Sequence, residues 1–577
     1  MAPPAIFFET PRIASLQDMV LRSARIHGEQ LAMEDLKDTP INRATYAGLL
    51  RQILKLGIAF RKIGLKERSH IAVISENRLQ WGLTYLTCMC FNYVVVPIDR
   101  NLTINEILNI LHESEASAVV YSESLEPIFN ERRGSMRQLR YFVNMDAPAS
   151  QNGMFSMMEL MQKSPGCEIE KLPRINPNDM AEIIFTSGSL GRAKGVMLSQ
   201  ANLSSNLMAM TKCIEVRADD RFLMVLPIHH TYACTCSLLC PLYTGASVHF
   251  AKSLKTVVED LQQVRATILL AVPLLYDKMF KRIYKGISEK KLLSKVIGPI
   301  IKATDLLQLV GWKSSKRLVF KEIHERFGGS IRFFISGGAA QDPIVAKGLR
   351  EFGFDFIQGY GLTETSPILT LNQLDRFKDD SAGITLPGMT LRINAPDADG
   401  VGEIWAKGPS VMLGYYKNEQ ATRDAFDGEW FMTGDLGMID EDGFLHISGR
   451  KKNVIISKSG KNVYPEEIED IINRSPFILE SLVFGEEDKK LDEVIAAQIV
   501  VDAEAFIELA DRKQVPITRD LMQETIADEI ARLNKELPSF KQIRKFYLRD
   551  QEFEKTTTQK VKRYLVSTAV VPSRSEG

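Results

Sequence analysis

Three times along this chain a short apolar run breaks off into a loop of glycines and hydroxyls: AEIIF into TSGSLGRAKG, IRFFIS into GGAAQD, and FDFIQ into GYGLTETSP. Each run reads as a buried strand, and each loop carries glycines that let backbone N–H groups turn inward. Helix-like periodicity alternates with further strand-like runs from about Leu16 to Leu445, among them His70–Ser75, Tyr93–Ile98, Ala118–Tyr121 and Ile183–Phe185. That alternation predicts an α/β protein with layered sheets. In open sheets of this kind ligands sit at the carboxyl ends of the strands, where all three loops fall. Taken singly, each loop is an ordinary tight turn. Three together point to one nucleotide pocket.

Composition narrows the class. Of 577 residues, 45% are hydrophobic and 25% charged, as in a globular protein, and 72 basic residues balance 72 acidic ones. A global electrostatic case for nucleic acid is therefore absent. The seven cysteines are odd in number and lie in apolar surroundings, which fits a reducing cytoplasm better than a disulfide framework. The start, MAPPAIFFETPR, lacks a signal peptide's basic head, and no apolar run approaches the ~20 residues needed to span a bilayer.

The character changes near Gly449, where the strand-like GFLHIS runs into polar, basic GRKKN. A compact α+β pattern follows: strands at Val454–Ser457, Ser481–Phe484 and Val494–Val501, with two helices, the first opened by Pro465, Glu466 and Glu467. The expected division is a large domain over 1–449, a hinge at 450–453 and a small mobile lid over 454–577.

The first loop supplies hydroxyls from Thr186, Ser187 and Ser189, glycines at 188 and 191, and the Lys194 ammonium, all suited to phosphate oxygens. It is not a Walker loop, because the GK[ST] ending is missing. In the other two loops Tyr360 can stack on a base, and Glu364 offers a hard oxygen for Mg²⁺.

Together with WFMTGDLG, GFLHISGRKKN and EKTTTQKVKR, these loops resemble the signature set of the adenylate-forming superfamily, in its order and spacing over nearly the whole chain. That superfamily holds acyl-CoA synthetases, peptide-synthetase adenylation domains and luciferases; LVFKEIHERFGGSIRFFISGGAA is most similar to the medium- and long-chain fatty acyl-CoA synthetases. The resemblance implies that Thr186–Lys194 hold the ATP phosphates, and that Gly338, Ala339, Ala340 and Gln358, Gly359, Tyr360, Gly361 line the adenine. It implies that Thr363 meets the α-phosphate, that Glu364 with Thr186 serves Mg²⁺, and that Asp435 and Arg450 take the ribose. Lys452 matches the hinge, and Lys560 matches the lysine that stabilises the adenylation transition state. His230 matches the group beside the substrate carboxylate, with Thr231, Cys234 and Gly337 in the acyl pocket. The implied reaction joins a hydrophobic carboxylic acid to coenzyme A at the expense of ATP; loading of a carrier protein and a catalytically dead nucleotide-binding homologue are the alternatives.

Several positions depart from the pattern: Ser189 and Leu190 stand where two threonines are usual, Ala193 for proline, Gln200 for histidine and Gln559 for glycine. A lost neutral hydrogen bond costs about 0.5–1.5 kcal/mol, enough to tune activity but not to abolish it. The cysteine-rich LPIHHTYACTCSLLC reads as a buried helix face, with free thiols acting as small hydrophobes, and not as a zinc site. Residues 281–321 carry eleven basic against two acidic side chains. Their plain reading is a solvated helical face; the sharper one is a surface for anionic lipid or for the phosphates of coenzyme A. A homodimer is left open by the sequence, as are the identity of the acid and its chain length.

Overall fold

The computed structural model describes residues 5–186, 193–288, 291–312, 314–456, 461–488, 492–556 and 561–566. The chain divides into two compact units, one of residues 1–391, 406–431 and 441–445, the other of 392–405, 432–440 and 446–577.

Two sheets build the first unit. In the larger, nine strands run in the order Ile384–Thr385, Ile368–Leu371, Asp355–Gly361, Phe333–Ser336, Ile268–Ala271, Arg221–Met224, Ser247–Phe250, Leu31–Asp35 and Arg43–Thr45. The six strands from Asp355–Gly361 to Leu31–Asp35 are parallel, and antiparallel strands close both edges. The second sheet has eight strands, ordered Gly414–Tyr415, Lys194–Ser199, Met180–Thr186, Val94–Pro97, His70–Ile74, Ala118–Tyr121, Tyr141–Asn144 and Phe155–Ser156. Its central strands are buried on both faces, which is why Val94–Val96 and Ala118–Tyr121 are unbroken apolar runs with no alternation.

Helices between the strands carry ordinary start and stop signals. Thr103 and Glu106 form a reciprocal capping box ahead of Ile104–Glu113. Helix Tyr46–Ile63 stops at Gly64, whose φ of +110° is open to glycine at little cost.

In the second unit, strands Ile478–Asp488 and Asp492–Val501 pair antiparallel, and Lys545–Arg549 adds in parallel. Ile468, Ile472, Ile499, Ile526 and Leu533 fill its core. Helix Pro465–Ile472 begins where its Pro-Glu-Glu start predicts. The expected pair of helices is in fact three among the described residues: Pro465–Ile472, Ala503–Lys513 and Arg519–Leu533. The last two are separated because Gln514 turns left-handed, at φ +55°, and Pro516 soon follows.

Candidate active site

The carboxyl edge of the nine-stranded sheet gathers the second and third loops. Strands Phe333–Ser336 and Asp355–Gly361 are parallel neighbours with Ser336 opposite Gln358, so Gly337–Ala340 and Gln358–Gly361 leave the sheet side by side. Gly338, at φ +91°, together with Ala339 and Ala340 is exposed, as a ligand-facing edge requires. Gln358 is buried: its carboxamide accepts from Gln341 N at 3.3 Å and donates to Asp379 O at 2.7 Å. Gln341 in turn accepts from the Ser336 hydroxyl and donates to Asp277, whose carboxyl burial pushes up to about 6. This polar relay fixes the loop bases. The backbone at Gly359 and Gly361 is crowded from behind. A Cβ on Gly361 would stand 1.8 Å from Pro367 O, and one on Gly359 2.7 Å from Thr370 O. Close packing against strand Ile368–Leu371 is reason enough for glycine at both positions.

Strand Met180–Thr186 ends at the first loop, and Lys194–Ser199 returns antiparallel with Thr186 opposite Lys194. Ser187, Gly188, Ser189 and Gly191 lie outside the described residues, so the loop is seen only through its two shoulders. The returning strand pairs with Gly414–Tyr415, Val196 against Tyr415. Here the two ends meet. The Lys194 ammonium sits over the Tyr415 ring, 4.8 Å from its centroid, and the Tyr415 hydroxyl donates to Glu364 Oε1 at 3.0 Å. Tyr415 thus joins the lysine of the first loop to the acidic residue of the third. Sequence reading passed it over, since in GYYKNE nothing marks one tyrosine of a doublet as a link between distant segments.

Further contacts clamp this cluster. Met412 N donates to Glu364 O, and Ser366 Oγ donates to Ser410 O. From helix Gln200–Cys213, Asn202 donates to Pro409 O and Val411 O, while Asn206 donates to Ile368 O. The helix that follows the first loop therefore holds the third loop in place. Its first residue, Gln200, is buried; it accepts from Leu16 N and donates to Met89 O. That tie between two helices accounts locally for glutamine where the resemblance expects histidine.

Glu364 has no ion-pair partner among the described residues, and no group of three or more His, Cys, Asp or Glu there could cage a metal. A single carboxylate suits Mg²⁺, which commonly binds through one or two carboxylates and substrate phosphates, not through an all-protein cage. Thr363 shares the same short helical turn, Thr363–Thr365.

His230 caps helix Thr231–Ala233, and its ring lies 4.3 Å from that of His229. Burial lowers His229 to about 3, so it is neutral beside Asp99, 3.6 Å away. The chain then passes through a π-helical stretch, Cys234–Leu239, a distortion frequent at functional sites. Tyr232, Cys236 and Cys240 share one face and, with Met210, Phe222 and Ile335, line a narrow apolar cavity of about 30 Å³. Gly337 leaves room for the Tyr232 ring, since a Cβ there would be 2.7 Å from Cζ. Cys234 faces the other way, toward Tyr85 and Glu182, and is not part of the cavity wall. Thr231 is buried, its hydroxyl without a partner among the described residues. The cysteines are thiols, not thiolates: burial pushes Cys240 up to about 12, and Cys234 and Cys236 well above the ordinary value.

In the second unit, Arg450 Nε meets Asp435 Oδ1 at 2.7 Å, and Asp435 N donates to Thr433 Oγ1 at 3.1 Å. Asp435 is 6% exposed and lies in the middle of strand Trp430–Ile439. Lys452 lies in the short turn Lys451–Asn453. Lys560 lies outside the described residues, but its flanks do not: Lys555 bridges Val561, Lys562 N donates to Glu554 O at 2.8 Å, and Arg563 is bound to Glu469 and to Val483 O.

The AMP-binding enzyme profile matches residues 20–416, and the AMP-binding enzyme C-terminal domain profile matches 452–569. A long-chain-fatty-acid–CoA ligase of Mycobacterium bovis is 29% identical, over 95% of this chain and 94% of its own length. An indoleacetate–CoA ligase of Aromatoleum aromaticum is also 29% identical, over 80% and 84%. A long-chain-fatty-acid–[acyl-carrier-protein] ligase of Arabidopsis thaliana is 27% identical, over 83% and 76%. Among solved structures, ATP-bound MatB of Rhodopseudomonas palustris superposes with a TM-score of 0.74 at 25% identity, covering 95% of this chain and 97% of the other. The anthranilate CoA ligase AuaEII with anthranoyl-AMP gives 0.76 at 20%, covering 96% of each, a likeness of fold. With one profile spanning well over half the chain and a second covering its C-terminal part, this protein belongs to the AMP-binding, adenylate-forming enzyme family.

Proposed function

We propose that this chain is an AMP-forming acyl-CoA ligase for a hydrophobic carboxylic acid. The observation that carries the reading is the meeting of Lys194 and Glu364 on Tyr415, a cation and an anion on one ring, which suits phosphate oxygens and Mg²⁺. In the first half-reaction the carboxylate oxygen attacks the α-phosphorus of ATP and pyrophosphate leaves. Lys194 and Lys560 offset the charge that develops on the phosphates, and Glu364 with Thr186 would hold magnesium, which adds Lewis-acid stabilisation when bound. In the second half-reaction the coenzyme A thiol, losing its proton to solvent, attacks the acyl carbon, and AMP leaves with the bond electrons. Asp435 and Arg450 orient the ribose, and Gly338–Ala340 with Gln358–Gly361 flank the adenine. The lid over 454–577 turns about Lys452 between the steps. No covalent enzyme intermediate is needed.

The sulfur- and aliphatic-lined cavity supports an apolar acid, since an amino acid would need a buried carboxylate for its ammonium. The names of the relatives support acyl transfer to a thiol. One of them loads a carrier protein, which keeps that acceptor as a second reading. Pyrophosphate release across a panel of carboxylic acids, with and without coenzyme A, tests both. Acid-dependent pyrophosphate with thioester formed only when the thiol is present supports the proposal. Adenylate that accumulates despite coenzyme A favours the carrier protein, and no acid-dependent pyrophosphate overturns both.

A further inference from the structure

Single exposed hydrophobic side chains are normal on any protein surface; clusters are not. Among the described residues, six of the 25 exposed large hydrophobic ones fall within one stretch of fourteen, 306–319: Leu306, Leu309, Val310, Trp312, Leu318 and Val319. Leu309 is 85% exposed, Val310 74% and Trp312 51%. They surround the turn that links helix Lys291–Leu309 to helix Ser315–Val319.

The turn is inverted relative to a water-facing one. Its polar groups point inward: Thr304, Ser315 and Lys316 are buried, Ser315 Oγ donates to Thr304 O at 3.2 Å, and Lys316 Nζ meets Asp305 at 2.6 Å. Ile297, Ile300 and Ile301 pack the same helix against the core, so its apolar inner face is already satisfied. Backbone bonds Val310 N to Leu306 O and Trp312 N to Leu307 O close the tip. What remains outward is a pinned, convex, apolar knob. Close by in the chain, Lys302, Arg317 and Lys321 are exposed, and the one nearby acid between 302 and 321, Asp305, is neutralised by Lys316.

We infer that this turn docks the protein onto an anionic lipid surface, with Leu309, Val310 and Trp312 entering the headgroup region and the exposed Lys302, Arg317 and Lys321 available to lipid phosphates. A knob of six side chains is far smaller than the ~20–30 residues a side of a stable protein interface, and a convex tip cannot enclose a ligand. Exposed Leu and Trp with cations close by are what an interfacial anchor requires. Among the described residues no helix is long and apolar enough to cross a membrane, so the contact is superficial. The docking site is separate from the proposed ligase chemistry and stands without it.

Flotation of the full chain with phosphatidylglycerol vesicles, against phosphatidylcholine vesicles, reads the interaction directly. Binding is expected to the anionic vesicles, to weaken with added salt, and to fall by at least about tenfold in Leu309→Glu/Val310→Glu. Trp312 is the most exposed of the four tryptophans, so its emission should shift blue on binding and be quenched by brominated lipid, a signal lost in Trp312→Phe. Pyrophosphate release in solution with a water-soluble acid should be unchanged in the double variant, which shows that it is folded and keeps this test apart from that of the ligase reading. Equal flotation of variant and wild type, no flotation at all, or a self-associated species abolished by the same double variant would each overturn the lipid assignment.

Discussion

Tyr415→Phe removes one hydroxyl and leaves the ring over which the Lys194 ammonium rests. The lost bond, 3.0 Å from Glu364 Oε1, is charge-assisted, and the tyrosine is only 9% exposed. Hydrogen bonds to charged groups are worth about 1.5–3 kcal/mol when buried; with Glu364 partly exposed, about 1–2 kcal/mol is the reasonable share. If Glu364 is held in its working position by this bond, kcat/KM for acid-dependent pyrophosphate release should fall by roughly 5- to 30-fold, with a raised magnesium requirement. Tyr415→Leu also removes the cation–π contact, worth about 0.5–2 kcal/mol, and should add a further severalfold rise in the KM for ATP. Steady-state pyrophosphate release at saturating and limiting magnesium, alongside thermal melts to confirm folding, separates the two effects. A folded Tyr415→Phe with wild-type kcat/KM and wild-type magnesium dependence would refute the positioning argument. So would Phe and Leu variants that fail identically at every step.

Three other expectations follow from the same structure. Lys560→Ala should cripple adenylate formation while leaving thioester formation from preformed adenylate largely intact, and equal loss of both in half-reaction assays would remove its assigned role. Ile214 lines both the apolar cavity and a larger pocket of about 370 Å³ at the opposite edge of the sheet, so Ile214→Ala should join them and shift preference toward longer acids, at about 2–4 kcal/mol of stability; an unchanged chain-length profile counts against it. Buried Glu182 is raised by desolvation to about 8, against a bond from Tyr85 that favours its charged form. Its folded state therefore holds a proton that the unfolded chain releases near 4.5, so stability falls as pH rises from about 4.5 to 8 and then levels. Glu182→Gln should melt progressively higher than wild type across that window, by up to a few kcal/mol at its top, and a pH-independent difference would show the carboxyl to be ionised throughout.

The alternation of apolar runs and glycine loops was enough to predict the layered sheets, because strands buried on both faces leave an unmistakable composition. The same logic located the loops at strand ends. It could not see why Gly359 and Gly361 are glycine: both admit strand Ile368–Leu371 at their backs, a long-range contact with no local mark. Nor could it separate Cys234 from Cys236 and Cys240, because the faces of a π-helical stretch do not follow the 3.6-residue repeat on which helical reading depends. Tyr415 and the asparagines at 202 and 206 were missed for a similar reason. Each gains its role from a partner more than fifty residues away. The third helix of the second unit escaped notice because a left-handed glutamine, not a glycine, ends the one before it.

In the second unit the short turn Lys451–Asn453 is tied to Arg563 through helix Pro465–Ile472. From Asn453, next to the proposed pivot, Nδ2 reaches Glu466 at 2.5 Å; Glu466 lies 3.8 Å from Arg563, and Arg563 is bound to Glu469. Residues 453, 466, 469 and 563 are therefore knotted into one block by alternating carboxylates and donors. Any rotation near residue 452 would carry that block whole, so the pivot trades reach for repeatability.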